Sequence, residues 1–185
     1  MGKSTELQTG IDHDDKLPGL RRWVDLVHSH GVPLVAQLNH CGRQIDRPAP
    51  GPDLAVAASA VHEPGMRITP RELRVDEIPE VVESFAAAAA RAQAAGFDVV
   101  QIHAAHGYLL SGFLTPHTNR RADAYGGALV NRMRLLLEVL DAVRARVGDE
   151  FPVLAKLNGT DMLPGREGAA EADLVAVGLA LQEHG

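Results

Sequence analysis

The chain has 185 residues, of which 45% are hydrophobic and 23% charged, proportions that fit a globular protein with a sizeable core and exclude a disordered or fibrous class. Eighteen basic against 24 acidic residues leave a net charge of −6, which disfavours phosphate backbones, so nucleic acid is not an expected partner. Cys41 is the single cysteine and excludes an internal disulfide, no run approaches the roughly 18 apolar residues of a membrane span, and the polar stretch from Met1 to Asp15 carries no signal-peptide core; a cytoplasmic location is expected.

The first expected element is a helix. Pro18 suits a first helical turn, and Leu20, Trp23, Val24 and Val27 recur at helical spacing until Gly31. Val32 to Leu38 reads as a buried strand ending in Gln37-Leu38-Asn39-His40. From about 39 to 75 there is no sustained period, and Pro48, Pro50, Pro52, Pro64 and Pro70 mark a long lid-like loop. Asp76 is placed to cap a second helix, with Val81, Val82, Phe85, Ala89 and Ala92 on one face and Gly96 as its left-handed terminus. Phe97 to Ile102 is the second strand, and His103 to Gly127 the loop after it. Met133, Leu136, Leu137, Leu140 and Val143 define a third helix ending at Gly148, Pro152 to Leu157 a third strand, and Asn158 to Gly168 a loop. Leu174, Val177 and Leu181 define the last helix.

Helices alternating with continuous apolar strands imply an α/β fold, a parallel sheet covered by its crossover helices with strands buried on both faces. An open doubly wound sheet and a closed barrel both fit. Polar residues gather where strands end, at Gln37 to His40, His103 to His106 and Lys156 to Asn158, as at the catalytic end of a barrel. The phosphate fingerprint GxGxxG of a dinucleotide-binding sheet is absent from the sequence.

The group His103-Ala-Ala-His106-Gly-Tyr108 brings two imidazoles and a phenol into one strand-end loop. Two imidazoles can present N–H groups to one developing oxyanion while a nearby phenol supplies a proton. The same pair could instead ligate a metal in an α/β-barrel enzyme, although His13, His28, His30, His62, His117 and His184 show no structural-zinc spacing. Gly2-Lys3-Ser4-Thr5 imitates the end of a phosphate loop but follows no strand, and the sequence has no Gly-x-Ser-x-Gly elbow. Cys41 reads as a small packed residue. Arg120, Arg121, Asp123, Tyr125, Asn131 and Arg132 are expected to hold the loop's shape through ion pairs and helix-end contacts.

The stretch AGFDVVQIHAAHGYLLSGFLTPHTNRRADAYGGALVNR resembles the signature of the Old Yellow Enzyme family of FMN oxidoreductases, especially its bacterial NADH:flavin oxidoreductase members. VAQLNHCGRQ and FPVLAKLNGTD extend the resemblance in the same order along the chain, from about Gly19 onward. It implies hydride transfer from NAD(P)H through FMN to a small, electron-poor acceptor such as an activated alkene. By position, His103 and His106 match the pair that binds the substrate's carbonyl or nitro oxygen, and Tyr108 matches the phenol that supplies a proton. Gln37 matches a contact to the flavin's pyrimidine edge, and Lys156 a cation near flavin N1 and O2. No metal is implied.

A complete (β/α)8 TIM barrel of this family takes about 250 residues. The resemblance therefore implies a single partial barrel domain over 1–185, incomplete at both ends. Its open sheet edges imply self-association, and the alternative function is an inactive remnant that folds only by pairing with another chain.

Overall fold

Leu17–His28 forms α1 with Pro18 in its first turn, where a missing N–H costs no hydrogen bond. The computed structural model describes residues 2–5, 7–46, 55–163 and 168–185; Met1, Pro48, Pro50 and Pro52, and positions 164–167 of the last loop, lie outside the described residues. The first main strand, β1, is Val35–Leu38, shorter than expected at its start because Pro33 has no N–H to give a ladder. Two further strands are as placed by the pattern, within a residue or two: β4 at Val99–Ala104 and β5 at Val153–Leu157.

The long excursion after β1 contains a two-residue pair, β2 (Val56–Ala57) parallel to β3 (Arg71–Glu72), which the lack of periodicity had concealed. α2 is Ile78–Ala95. Asp76 does not cap it: a short 3-10 turn at Val75–Glu77 precedes the helix, Glu77 Oε2 accepts from the Arg74 N–H at 2.8 Å, and Asp76 instead pairs with the Arg74 side chain at 3.0 Å. Gly96 ends the helix with φ +93°, a conformation that a Cβ would penalise, and its N–H reaches Gln93 O.

The stretch expected as loop between 103 and 127 contains a six-residue helix, α3 (Leu109–Leu114), every residue of which is buried. The third expected helix is divided at Met133 into α4 (Leu129–Arg132) and α5 (Arg134–Val147). The last helix, α6 (Glu171–His184), buries Leu174, Val177 and Leu181 as the pattern requires. No helix among the described residues is long and apolar enough to cross a membrane.

β1, β4 and β5 form one parallel sheet in the order β1-β4-β5, so each strand of this sheet lies beside the one that follows it in the same sheet, with helices between. This order has no reversal, the feature that creates a ligand crevice in doubly wound sheets. One sheet face, with Ala36, Leu38, Val100 and Ile102, packs on the helices; α2 contributes Phe85, Ala89 and Ala92, and α5 contributes Leu136, Val139, Leu140 and Val143. Each such Val, Leu or Phe contributes about 1.5–3 kcal/mol on burial.

The other face carries Val35, Gln37, Gln101, His103, Leu154 and Lys156, because Gln37 is level with Gln101 and His103 with Lys156. The expectation of strands buried on both faces is corrected here. Val35 is 44% and Leu154 48% exposed on this second face, while His103 at its strand end is buried.

Candidate active site

β4 delivers His103 to the second sheet face near the strand's C-terminal end. The ring is buried, at 3% exposure, and its Nδ1 accepts the Ala105 N–H at 3.2 Å. That bond assigns the remaining ring proton to Nε2 and leaves it as a donor. Burial, with His106 and Lys156 nearby, pushes the His103 pKa down to about 4. The imidazole is therefore neutral near pH 7, and it donates one proton without carrying charge.

The chain then turns sharply. His106 has φ +61° and Gly107 φ +75°, two consecutive left-handed residues. Glycine adopts this freely, whereas a histidine there stores about 1–3 kcal/mol of strain that its surroundings must offset. The Asn158 Oδ1 accepts the His106 N–H at 2.8 Å, and the Gln44 Nε2 donates to His106 O at 2.7 Å. The Gly107 N–H donates to Ser111 Oγ at 3.2 Å. The turn brings the His106 ring edge-on to His103, with centroids 5.0 Å apart, and sets the Tyr108 ring 4.9 Å from His103 at right angles. The three chemical groups of the motif are thus one cluster.

Gln37 and Lys156 come from strands on either side of β4 and meet across it, Lys156 Nζ donating to Gln37 Oε1 at 3.2 Å. The five residues singled out in the sequence share one end and one face of the sheet. His103 and His106 belong to no group of three or more His, Cys, Asp and Glu able to hold a metal among the described residues.

Three residues that sequence reasoning did not single out complete the arrangement: Gln44, Ser111 and Asn158, of which only Asn158 had a strand-end position as a signal. A cavity of about 360 Å³ opens beside them, lined by Gln44, His106, Ser111, Thr118, Asn158 and Asp161 among others. A second cavity, about 500 Å³, reaches Gln37, Asn39 and His40 from the side of α2. His40 is a neutral ring whose pKa burial pushes to about 4, with its Nδ1 accepting the Gly42 N–H at 3.1 Å. Cys41 is fully buried in a small cluster with Ile45 and Ala55, against which Tyr108 packs.

The loop-shaping residues form the expected kind of network. Arg121 donates to Ala58 O at 3.0 Å and Leu73 O at 2.7 Å and pairs with Asp123 at 2.5 Å, fastening the β2 and β3 excursion to the segment after α3. Arg132 pairs with Asp173 of α6 at 2.6 Å and donates to Leu114 O at 2.8 Å. Tyr125 donates to the Glu138 carboxylate at 3.1 Å and Asn131 to Gly126 O at 3.1 Å.

Comparison with known proteins agrees over nearly the whole chain. The sequence profile of the NADH:flavin oxidoreductase / NADH oxidase family matches residues 1–183. A metal reductase of Desulforamulus reducens is 45% identical over 90% of this chain and 25% of its own length. An NADPH dehydrogenase of Listeria monocytogenes is 40% identical over 100% of this chain and 49% of its own. Among solved structures, a 2-naphthoyl-CoA reductase complex superimposes with a TM-score of 0.91 at 30% identity, over 99% of this chain and 29% of that one. An Old Yellow Enzyme homologue from Zymomonas mobilis gives 0.82 at 34% identity, over 94% and 51%.

The chain thus spans about a quarter to a half of these curated relatives, and its three strands with their helices are part of a (β/α)8 barrel of Old Yellow Enzyme type. By sequence and by fold, the chain belongs to the NADH:flavin oxidoreductase / NADH oxidase family.

Proposed function

We propose that this segment forms the substrate-polarising half of an FMN-dependent oxidoreductase that moves hydride from NAD(P)H to an activated alkene or a related electron-poor acceptor. The observation that carries the reading is the neutral His103 with its Nε2 proton free to donate, clustered with His106 and Tyr108 at the strand ends. Support for FMN comes from the donor set beside it. The Gln37 amide can both donate and accept and the Lys156 ammonium is a fixed cation, a combination that suits the polar edge of a flavin ring. When bound, FMN would supply the two-electron relay between NAD(P)H and the acceptor's β-carbon.

The residues of the chain do the rest. His103 Nε2 and the His106 ring donate to the carbonyl or nitro oxygen and stabilise the negative charge that grows there. The Tyr108 phenol delivers a proton to the α-carbon. Lys156, held by Gln37, would set a positive charge beside the polar edge of a bound flavin.

The test is a holo preparation of the protein carrying this segment. Heat-released flavin should be FMN, and NAD(P)H should be consumed in step with reduction of a small cyclic enone. A preparation that binds no flavin and leaves the enone unreduced refutes the reading. The exposed Val35 and Leu154 on the inner sheet face favour a second reading, a chain that is stable only against another polypeptide.

A further inference from the structure

We propose that Asn158 and Gln44 are positioning residues that hold His106 in its left-handed conformation and thereby set the donor geometry of the proposed active site. The inference rests on the function proposed above, in which His106 polarises the acceptor oxygen.

His106 is a branch point of strain. It has φ +61°, and the next residue, Gly107, continues at +75°. No hydrogen bond of a regular ladder reaches this turn, because β4 ends at Ala104. Its two backbone groups are instead held from opposite sides by the loops that follow the neighbouring strands. Asn158, just past β5, accepts the His106 N–H at 2.8 Å; Gln44, after β1, donates to the His106 carbonyl at 2.7 Å.

The Asn158 amide is itself fixed. Its Nδ2 donates to Asp161 Oδ1 at 3.2 Å and to Ser111 Oγ at 3.3 Å, and Ser111 Oγ also accepts the Gly107 N–H at 3.2 Å. Asp161 Oδ2 in turn accepts the Ala169 N–H at 2.6 Å. The orientation of the amide is therefore settled: with Nδ2 facing a carboxylate, Oδ1 must face the His106 N–H. Gln44 Nε2 also packs where a side chain on Gly107 would sit, 2.7 Å from that Cβ position, so a Cβ at 107 would push the Gln44 amide away from the His106 carbonyl. Without these contacts His106 relaxes toward the ordinary right-handed or extended regions, and its ring leaves the place beside His103.

The experiment measures binding of 4-nitrophenolate, an oxyanion probe whose ionised form is read by absorbance, to the holo protein and to H106A, N158A, Q44A and H106A/N158A. Flavin content and melting temperature are followed in parallel. N158A should weaken the probe about tenfold with its flavin retained. In the H106A background the same substitution should add less than about twofold, because its effect passes through His106. Losses that multiply in the double variant overturn the proposal, as does unchanged probe affinity in a folded N158A. If N158A does not fold, Q44A carries the test, and unchanged affinity there overturns it equally. H106A that binds the probe as well as the unaltered protein removes the catalytic assignment of His106, a separate failure that N158A alone does not produce.

Discussion

Replacing both imidazoles, His103→Ala with His106→Ala, tests the proposed chemistry most directly, and its size follows from the site. His103 offers one Nε2 proton because its Nδ1 is occupied by the Ala105 N–H. With its pKa near 4 it is neutral over the working range, so it contributes a hydrogen bond to developing charge and not a full ion pair. Loss of one such donor costs about 2.7–4 kcal/mol in the transition state, or about 10²–10³ in rate. The double variant should lose at least that in the oxidative half-reaction, followed by stopped-flow reoxidation of reduced flavin with an enone. The reductive half-reaction with NAD(P)H and the flavin content should change much less, because Gln37 and Lys156 remain. A double variant that reoxidises within threefold of the unaltered protein refutes the assignment.

Arg121→Met should destabilise the fold by about 3–5 kcal/mol in denaturant titration, since it strips two buried carbonyls and Asp123 of their partner at a side chain only 2% exposed; a loss under 1 kcal/mol removes Arg121 as the fastener of the excursion. Acid should weaken the fold as pH falls from about 6.5 toward 4, because the native state holds both His103 and His40 neutral, each with pKa about 4 against the usual 6.5, while the unfolded chain takes up the protons. The share of His103 tends toward roughly 3 kcal/mol by the lower limit, and His103→Gln should reduce the slope in that window while leaving the part due to His40; an unaltered slope refutes the role of His103. Produced as these 185 residues alone, the chain should self-associate, given exposed Val35 and Leu154 and β1 and β5 each with one partner strand among the described residues; a monodisperse monomer in light scattering contradicts this.

What the sequence made legible is what depends on short-range pattern. The apolar stripes of α1, α2, α5 and α6 and the glycine at 96 are local signals, and the polar strand ends placed Gln37, His103, His106 and Lys156 on one end of the sheet. The helix α3 escaped because Leu109-Leu110-Ser111-Gly112-Phe113-Leu114 is buried all round and shows no period. β2 and β3, two residues each, are too short to display alternation. Asp76 looked like a cap by residue type, but Glu77 reached the Arg74 N–H first. The exposure of Val35 and Leu154 depends on what lies over the inner sheet face, which no local pattern encodes. The clamp on His106 was hidden for a different reason: its partners lie 52 and 62 positions away and touch backbone, not the imidazole.

That clamp explains how two histidines three positions apart come into one cluster from unlike footings. His103 is the last but one residue of β4, its backbone conformation set by the strand and its ring by the Ala105 N–H. His106 lies beyond the strand in a conformation that its own side chain disfavours, so its footing has to be supplied by residues from both flanking strand ends. A regular strand would send residues 103 and 106 to opposite faces, because side chains alternate with a period of two. The left-handed turn at 106 and 107 breaks that alternation and returns the second ring to within 5.0 Å of the first. The strain at His106 is thus the geometric condition for pairing the imidazoles, and the side chains that offset it are as much part of the site as the rings.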